Sequence, residues 1–238
     1  MKNCAIILAR GGSKGIHNKN ILEFNGYPLV LWSVMAALED DVCDRVVVSS
    51  DSNRILEICS SVKDARIDLV VRPDCLSGDN SSSDQAILHA IDFCNIKSEE
   101  RVVFLQPTSP FRYNNLIEKC INKTKTGFSC FSASKHTPLF WVKNDSNFAS
   151  KKFNVRKMRQ LYSDQEMYWH DCGDVYSFMA GDFRLSADRH SGQPAIVEAD
   201  KIQSLQIDDI DDLFICRKLI EKENINIWMK KIVKLLQK

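Results

Sequence analysis

The chain has 238 residues, with 32 Lys and Arg against 31 Asp and Glu, 44% hydrophobic residues and nine cysteines. That length suits one domain spanning 1–238, and the near-cancelling charge excludes a molecule-wide field for nucleic acid or for a membrane surface, so any anion site has to be local. No run approaches the about 18 apolar residues of a membrane span, and "MKNCAIILARGG" is too short for a signal peptide; the expectation is a cytoplasmic protein.

The odd number of cysteines, with no CxxC pair, points to free thiols in a reducing compartment. The five histidines show neither HxxxH nor HExxH spacing, which argues against zinc.

Along the first half, strand-like and helix-like segments alternate. "NCAIILA" (3–9) reads as a strand buried on both faces, and "PLVLWSVMAALED" (28–40) as a helix with Pro28 in its first turn. "RVVVSS" (45–50) is a second strand, with "DSN" after it capping the helix "RILEICSSV". "IDLVV" (67–71) is a third strand and "SSDQAILHAIDFC" (82–94) a serine-capped helix. "RVVFLQ" (101–106) is a strand stopped by "PTSP", followed by the helix "YNNLIEKCINKT" (113–124) and the strand "GFSCFSAS" (127–134).

Residues 135–171 are polar, aromatic and basic without a period, and read as an excursion from the sheet. The rhythm resumes with strands at "DVYSFMA" (174–180), "PAIVEA" (194–199) and "IQSLQI" (202–207). A helix over 208–223 has an acidic first turn that suits the helix dipole, and an amphipathic helix closes the chain.

This alternation predicts an α/β fold: a mostly parallel sheet covered by helices on both faces, with ligands bound beyond the carboxyl ends of the strands. The loops 10–20, 72–82 and 106–112 should share that edge. In "ARGGSKGI" (9–16), adjacent glycines permit close backbone approach to a ligand and successive amides form an anion nest, while Arg10 and Lys14 add charge. The stretch is neither a Walker A motif nor GxGxxG. On the residues alone it serves equally as a basic turn or as a phosphate cradle.

Arg72 and the serines of "VVRPDCLSGDNSSSD" suit a polar ligand at a helix start, or form a plain capped loop. Gln106 in "LQPTSPFR" carries the donor and acceptor needed to read a base edge. In "LQIDDIDD", helix capping accounts for Asp209, Asp211 and Asp212, leaving Asp208 as the metal candidate.

"ARGGSKGI-x-x-KNI", "VVSSDS", "RPDCLSGDNSSS", "LQPTSPFR" and "IDDIDD" resemble, in order and spacing, the acylneuraminate cytidylyltransferases, which make CMP-sugars of sialic, pseudaminic and legionaminic acids. The likeness is close over 3–134 and looser over 171–222. It implies a Rossmann-like three-layer nucleotidyltransferase fold, acting as a homodimer on CTP and a nine-carbon α-keto acid sugar with Mg²⁺. On matched positions it implies that Arg10, Gly11, Gly12, Ser13, Lys14 and Lys19 hold the triphosphate. Arg72, Ser82 and Gln106 would line the cytidine pocket, and Asp208 would hold the metal. Residues 135–171 would be a dimerisation arm reaching the partner's sugar site.

Three departures stand out. His17 replaces a usual proline, Gln206 stands where a first metal-binding Asp is expected, and "HDCGDVYSF" (170–178) is nearer the pseudaminic-type pattern than the sialic one. Sugar-site candidates are Arg159, Gln160 and Tyr176. N-acetylneuraminate is the expected sugar, with pseudaminic or legionaminic acid as the alternative. Gln206 also leaves room for a nucleotide-binding module without catalysis, and a transferase for another sugar class such as 3-deoxy-octulosonate is the remaining reading.

Overall fold

The computed structural model describes residues 1–238 except Lys14, 79–80, 146–147, 154 and 238. In chain order its elements are β1 (Asn3–Leu8), β2 (Glu23–Phe24), β3 (Tyr27–Pro28), α1 (Leu29–Leu38), β4 (Arg45–Ser50), α2 (Asn53–Ser60), β5 (Ile67–Val71), α3 (Ser83–Phe93), β6 (Arg101–Leu105), α4 (Leu116–Lys123) and β7 (Cys130–His136). There follow β8 (Trp141–Lys143), β9 (Ala149–Lys151), β10 (Tyr168–Met179), α5 (Ala180–Ser186), β11 (Ala195–Glu198), α6 (Ile210–Leu219) and α7 (Glu223–Val233).

Seven strands form the main sheet in the order β11-β7-β10-β6-β1-β4-β5. β1 runs parallel to β4 and β6, β4 parallel to β5, and β7 parallel to β11. The strand side chains alternate between two cores, as a period of two requires. Ala5, Ile7, Val46, Val48, Val103 and Leu105 pack with α1, α2, α4 and α7 on one face. Cys4, Ile6, Val47, Val102 and Phe104 pack with α3 and α5 on the other. The result is the expected three-layer α/β arrangement. Helix α1 is buried along all ten residues, which explains its apolar character all round.

β10 departs from the parallel pattern, running antiparallel to both β6 and β7. A parallel connection needs a crossover, usually helical. Of the excursion expected over 135–171, residues 135–136 end β7 and 168–171 open β10; among the described residues, 137–167 carry the β8–β9 hairpin and two short 3₁₀ turns, so the chain returns beside β7 from the edge it left. β10 therefore starts at the carboxyl edge of the parallel strands, and its register shifts between Asp171 and Tyr176.

Two further expectations are corrected. Residues 202–207 form no strand: Asp200 Oδ1 accepts from the amides of Ile202 and Gln203 at 2.8 and 3.0 Å. That local side-chain turn takes the amides a ladder would use. The helix expected over 208–223 spans only Ile210–Leu219, and the expected closing helix, α7, starts at Glu223. At the second helix, "DSN" supplies Ser52 as N-cap, without a side-chain cap bond.

Candidate active site

The carboxyl ends of β1, β5 and β6 open on one cavity of about 560 Å³, within the range of small-molecule sites. The loops 10–20, 72–82 and 106–112 all contribute to it, as does Asp208. Arg10, Ser13, Lys19, Arg72, Ser82, Gln106 and Asp208 thus meet in one place although they span some two hundred positions of sequence.

Local folding explains how each is held. Lys19 begins a 3₁₀ turn, Lys19–Ile21, and its Nζ lies 2.8 Å from Asp208 Oδ1, with side-chain exposures of 13% and 64%. Gly15 is what permits this closeness, since a Cβ there would run into the Asp208 carbonyl. Asp208 is left free for such contacts because the capping box of α6 is made by Asp209 and Asp212: Asp209 Oδ1 accepts from Asp212 N at 2.9 Å and Asp212 Oδ2 accepts from Asp209 N at 3.1 Å. Ser82 caps α3, its Oγ accepting from Asp84 N at 3.1 Å.

Arg72 is buried, donates from Nε to Ser77 Oγ at 3.0 Å and lies 3.6 Å from Asp51 Oδ1. Burial pulls its guanidinium below the usual value while Asp51 opposes that shift, and an arginine so placed remains charged. Asp51 also accepts from Gly11 N at 2.9 Å, so this amide serves the loop rather than pointing to a ligand. One carboxylate thereby ties the ends of β1, β4 and β5 together. Asp51 was missed as a site organiser because the polar run after a strand reads as a helix cap. Asn20 was missed too: it is buried and donates from Nδ2 to Arg10 O at 2.9 Å.

Other expected residues lie elsewhere. Lys14 is outside the described residues. Gly12 is exposed, with open space where a side chain would be. Arg159 and Gln160 sit in the exposed turn Arg159–Leu161 and border a separate open groove with Leu139 and Arg156–Met158. Tyr176 is buried, stacked on Phe104 with ring centroids 5.7 Å apart. Phe104 itself lines the cavity, so Tyr176 stands one ring behind its wall.

Tyr176 belongs to a polar cluster that no sequence spacing announces. Its hydroxyl donates to Asp171 Oδ1 at 2.9 Å, and His190 Nε2 lies 3.2 Å from Asp171 Oδ2. Arg189 stacks against both Phe104 and Tyr176, 5.0 Å from each ring centre, and pairs with Asp84. Gln206 donates its amide to the Cys172 carbonyl, packed so closely over Gly173 (φ 62°) that a Cβ at that position would overlap it. Among the described residues no three His, Cys, Asp or Glu side chains converge as a metal-binding group.

A doubly wound sheet with a cation-bearing polar cavity beyond its parallel strand ends defines a nucleotide-handling α/β enzyme. Residues 4–194 match the family model described as Cytidylyltransferase. The chain belongs to this family and is a nucleotidyltransferase. It is 32% identical to the pseudaminic acid cytidylyltransferase of Campylobacter jejuni subsp. jejuni serotype O:23/36 over 74% of this chain and 78% of that protein. It is 28% identical to the N-acylneuraminate cytidylyltransferase of Escherichia coli O18:K1:H7 over 94% of this chain, but spans only 53% of that longer relative. The solved 4-diphosphocytidyl-2C-methyl-D-erythritol synthase from Anaerococcus prevotii shares the fold, with a TM-score of 0.68 at 14% identity, covering 93% of this chain and 99% of that one. No helix among the described residues is long and apolar enough to cross a membrane.

Proposed function

We propose that the protein transfers CMP from CTP to the anomeric hydroxyl of a nine-carbon α-keto acid sugar of the sialic acid class, releasing pyrophosphate. The observation that carries this reading is the convergence of Arg10, Lys19, Arg72, Gln106 and Asp208 on one cavity. In the reaction a bond forms between the sugar oxygen and the α-phosphorus, and the bond from that phosphorus to the pyrophosphate oxygen breaks. Such transfer depends on positioning and on stabilising charge. Arg10 and Lys19 counter charge on the phosphates, while Arg72 and Ser82 line the nucleotide end. Gln106 supplies paired donor and acceptor groups for the cytosine edge.

A magnesium ion fits the donor set in a limited way: Asp208 is an exposed carboxylate at the cavity, and Mg²⁺ is commonly held by one or two carboxylates plus substrate phosphates and water. Asp208 would hold it, and the ion would supply charge neutralisation when bound. Gln206 is committed to Cys172 and gives no second carboxylate.

The excursion 137–167 supports a homodimer. Phe140, Trp141, Phe148, Val155, Met158 and Leu161 are all exposed on it, a large apolar display for a monomer. In a dimer, Arg159 and Gln160 would approach the partner's sugar end, beside Tyr176 and its Asp171–His190 neighbours. All nine cysteines are thiols, which suits a reducing cytoplasm. N-acetylneuraminate is the first candidate sugar. The 32% identity to the Campylobacter enzyme and the "HDCGDVYSF" segment favour pseudaminic acid as the second reading.

Calorimetric titration with CTP, UTP and ATP tests the nucleotide assignment. CTP should bind most tightly, and UTP or ATP binding more tightly than CTP would overturn the cytidine reading.

A further inference from the structure

The loop after β6 is held by two ionisable side chains with no access to solvent. Arg112, at the loop's end, and Asp174, in β10, both have 0% side-chain exposure, and Nε lies 2.6 Å from Oδ1. The other guanidinium nitrogens are also used: Nη1 donates to Ser33 Oγ in α1 at 2.9 Å, and Nη2 to the Gln106 carbonyl at 2.5 Å. Asp174 reaches the same residue from the other side, its backbone carbonyl accepting from Gln106 N at 3.2 Å. Gln106 lies one residue past the last β6–β10 pair, Leu105 and Val175. Its backbone is therefore gripped on both sides where the ladder stops. Two residues on, the Thr108 carbonyl accepts from Ile207 N at 2.8 Å, which fixes the residue preceding Asp208.

We infer that the buried Arg112–Asp174 pair is a positioning clamp that sets Gln106, and through Thr108 the Asp208 segment, against the nucleotide cavity. Neither charge lines that cavity, so both are positioning rather than catalytic residues. The inference rests on the reading of Gln106 as the cytosine contact.

Geometry, rather than stability, is what such a pair supplies. Burial raises the Asp174 carboxyl while the adjacent guanidinium opposes that shift, and the cost of taking two such groups out of water offsets their attraction. An apolar pair of similar volume fills such a space as stably, yet it cannot donate to Gln106. A lysine cannot reach Asp174, Ser33 and Gln106 together, because it lacks the planar fork.

The test is the double variant Arg112→Met/Asp174→Leu, which avoids the stranded buried charge left by either single change. Amide hydrogen exchange at Gln106 and Ile207 is compared with that at Ile6, and KM and kcat are measured for CTP and UTP. The expected result is a cooperative fold with a near-normal denaturant midpoint. Gln106 and Ile207 should exchange at least tenfold faster relative to Ile6, and discrimination of CTP from UTP should fall at least tenfold. A folded double variant with exchange and discrimination within twofold of the parent would overturn the clamp. A double variant that cannot fold would also overturn it, by making the pair a requirement of the fold. If the parent protein itself shows no preference for CTP, the functional reading of Gln106 fails, and the exchange measurement alone decides the clamp.

Discussion

Lys19 and Asp208 are 189 positions apart in sequence and 2.8 Å apart in space, and they carry two opposite predictions. Lys19→Ala should lower kcat/KM for CTP by about a hundredfold or more, since it removes charge stabilisation at the reacting phosphates. The pair is open to solvent on its Asp208 side, and solvent-screened pairs contribute about 0–1 kcal/mol to stability, so the denaturation midpoint should move little. Equal losses of activity and of folded protein would contradict the phosphate role. Asp208→Asn should raise the Mg²⁺ concentration needed for half-maximal rate, and an unchanged metal titration would count against it. Asp174 gives a third prediction. Burial raises its carboxyl to about 7, above the roughly 3.9 of an unstructured chain. The native state thus holds that proton over the interval, and stability from this group falls as pH rises from about 4 to about 7, by at most about 1.4 kcal/mol per pH unit. The charged group facing it is Arg112, and the thiols of Cys120 and Cys172 are its other titratable neighbours. Urea midpoints from pH 5 to 8 should converge less steeply in Asp174→Asn, and parallel profiles for variant and parent would refute the shift.

Among the elements, the strands of the first half were legible because buried parallel strands are continuous apolar runs ended by turn residues. Their loops were legible for the same reason, and with them Arg10, Lys19, Arg72 and Gln106. What the sequence did not show was set by long-range pairing. The antiparallel course of β10 goes with a connection whose described residues, within 137–167, form no crossover helix. The strand expected at 202–207 does not form because the amides of Ile202 and Gln203 go to Asp200. Asp51 reads as a cap, and only the fold reveals that it joins Gly11 and Arg72. The excursion supplies the prediction for this scale. Replacing Trp141 and Phe148 with serine should shift the protein from dimer to monomer in sedimentation, with little loss of stability because both are exposed. A parent protein that sediments as a monomer would remove the arm's assigned role.

For the molecule as a whole, the sheet brings weak local signals to one edge, and their coincidence on one cavity is what supports the proposed nucleotide site. Gln206 is bound to Cys172, and the exposed Asp208 lines the cavity together with Arg10, Lys19 and Arg72. The most direct measurement of the central claim is pyrophosphate release by the purified protein with CTP, Mg²⁺ and a panel of N-acetylneuraminic, pseudaminic, legionaminic and 3-deoxy-octulosonic acids. The account predicts CTP-dependent release with at least one of the nine-carbon sugars and none with the eight-carbon one. Binding of CTP without release from any of the nine-carbon sugars would contradict it.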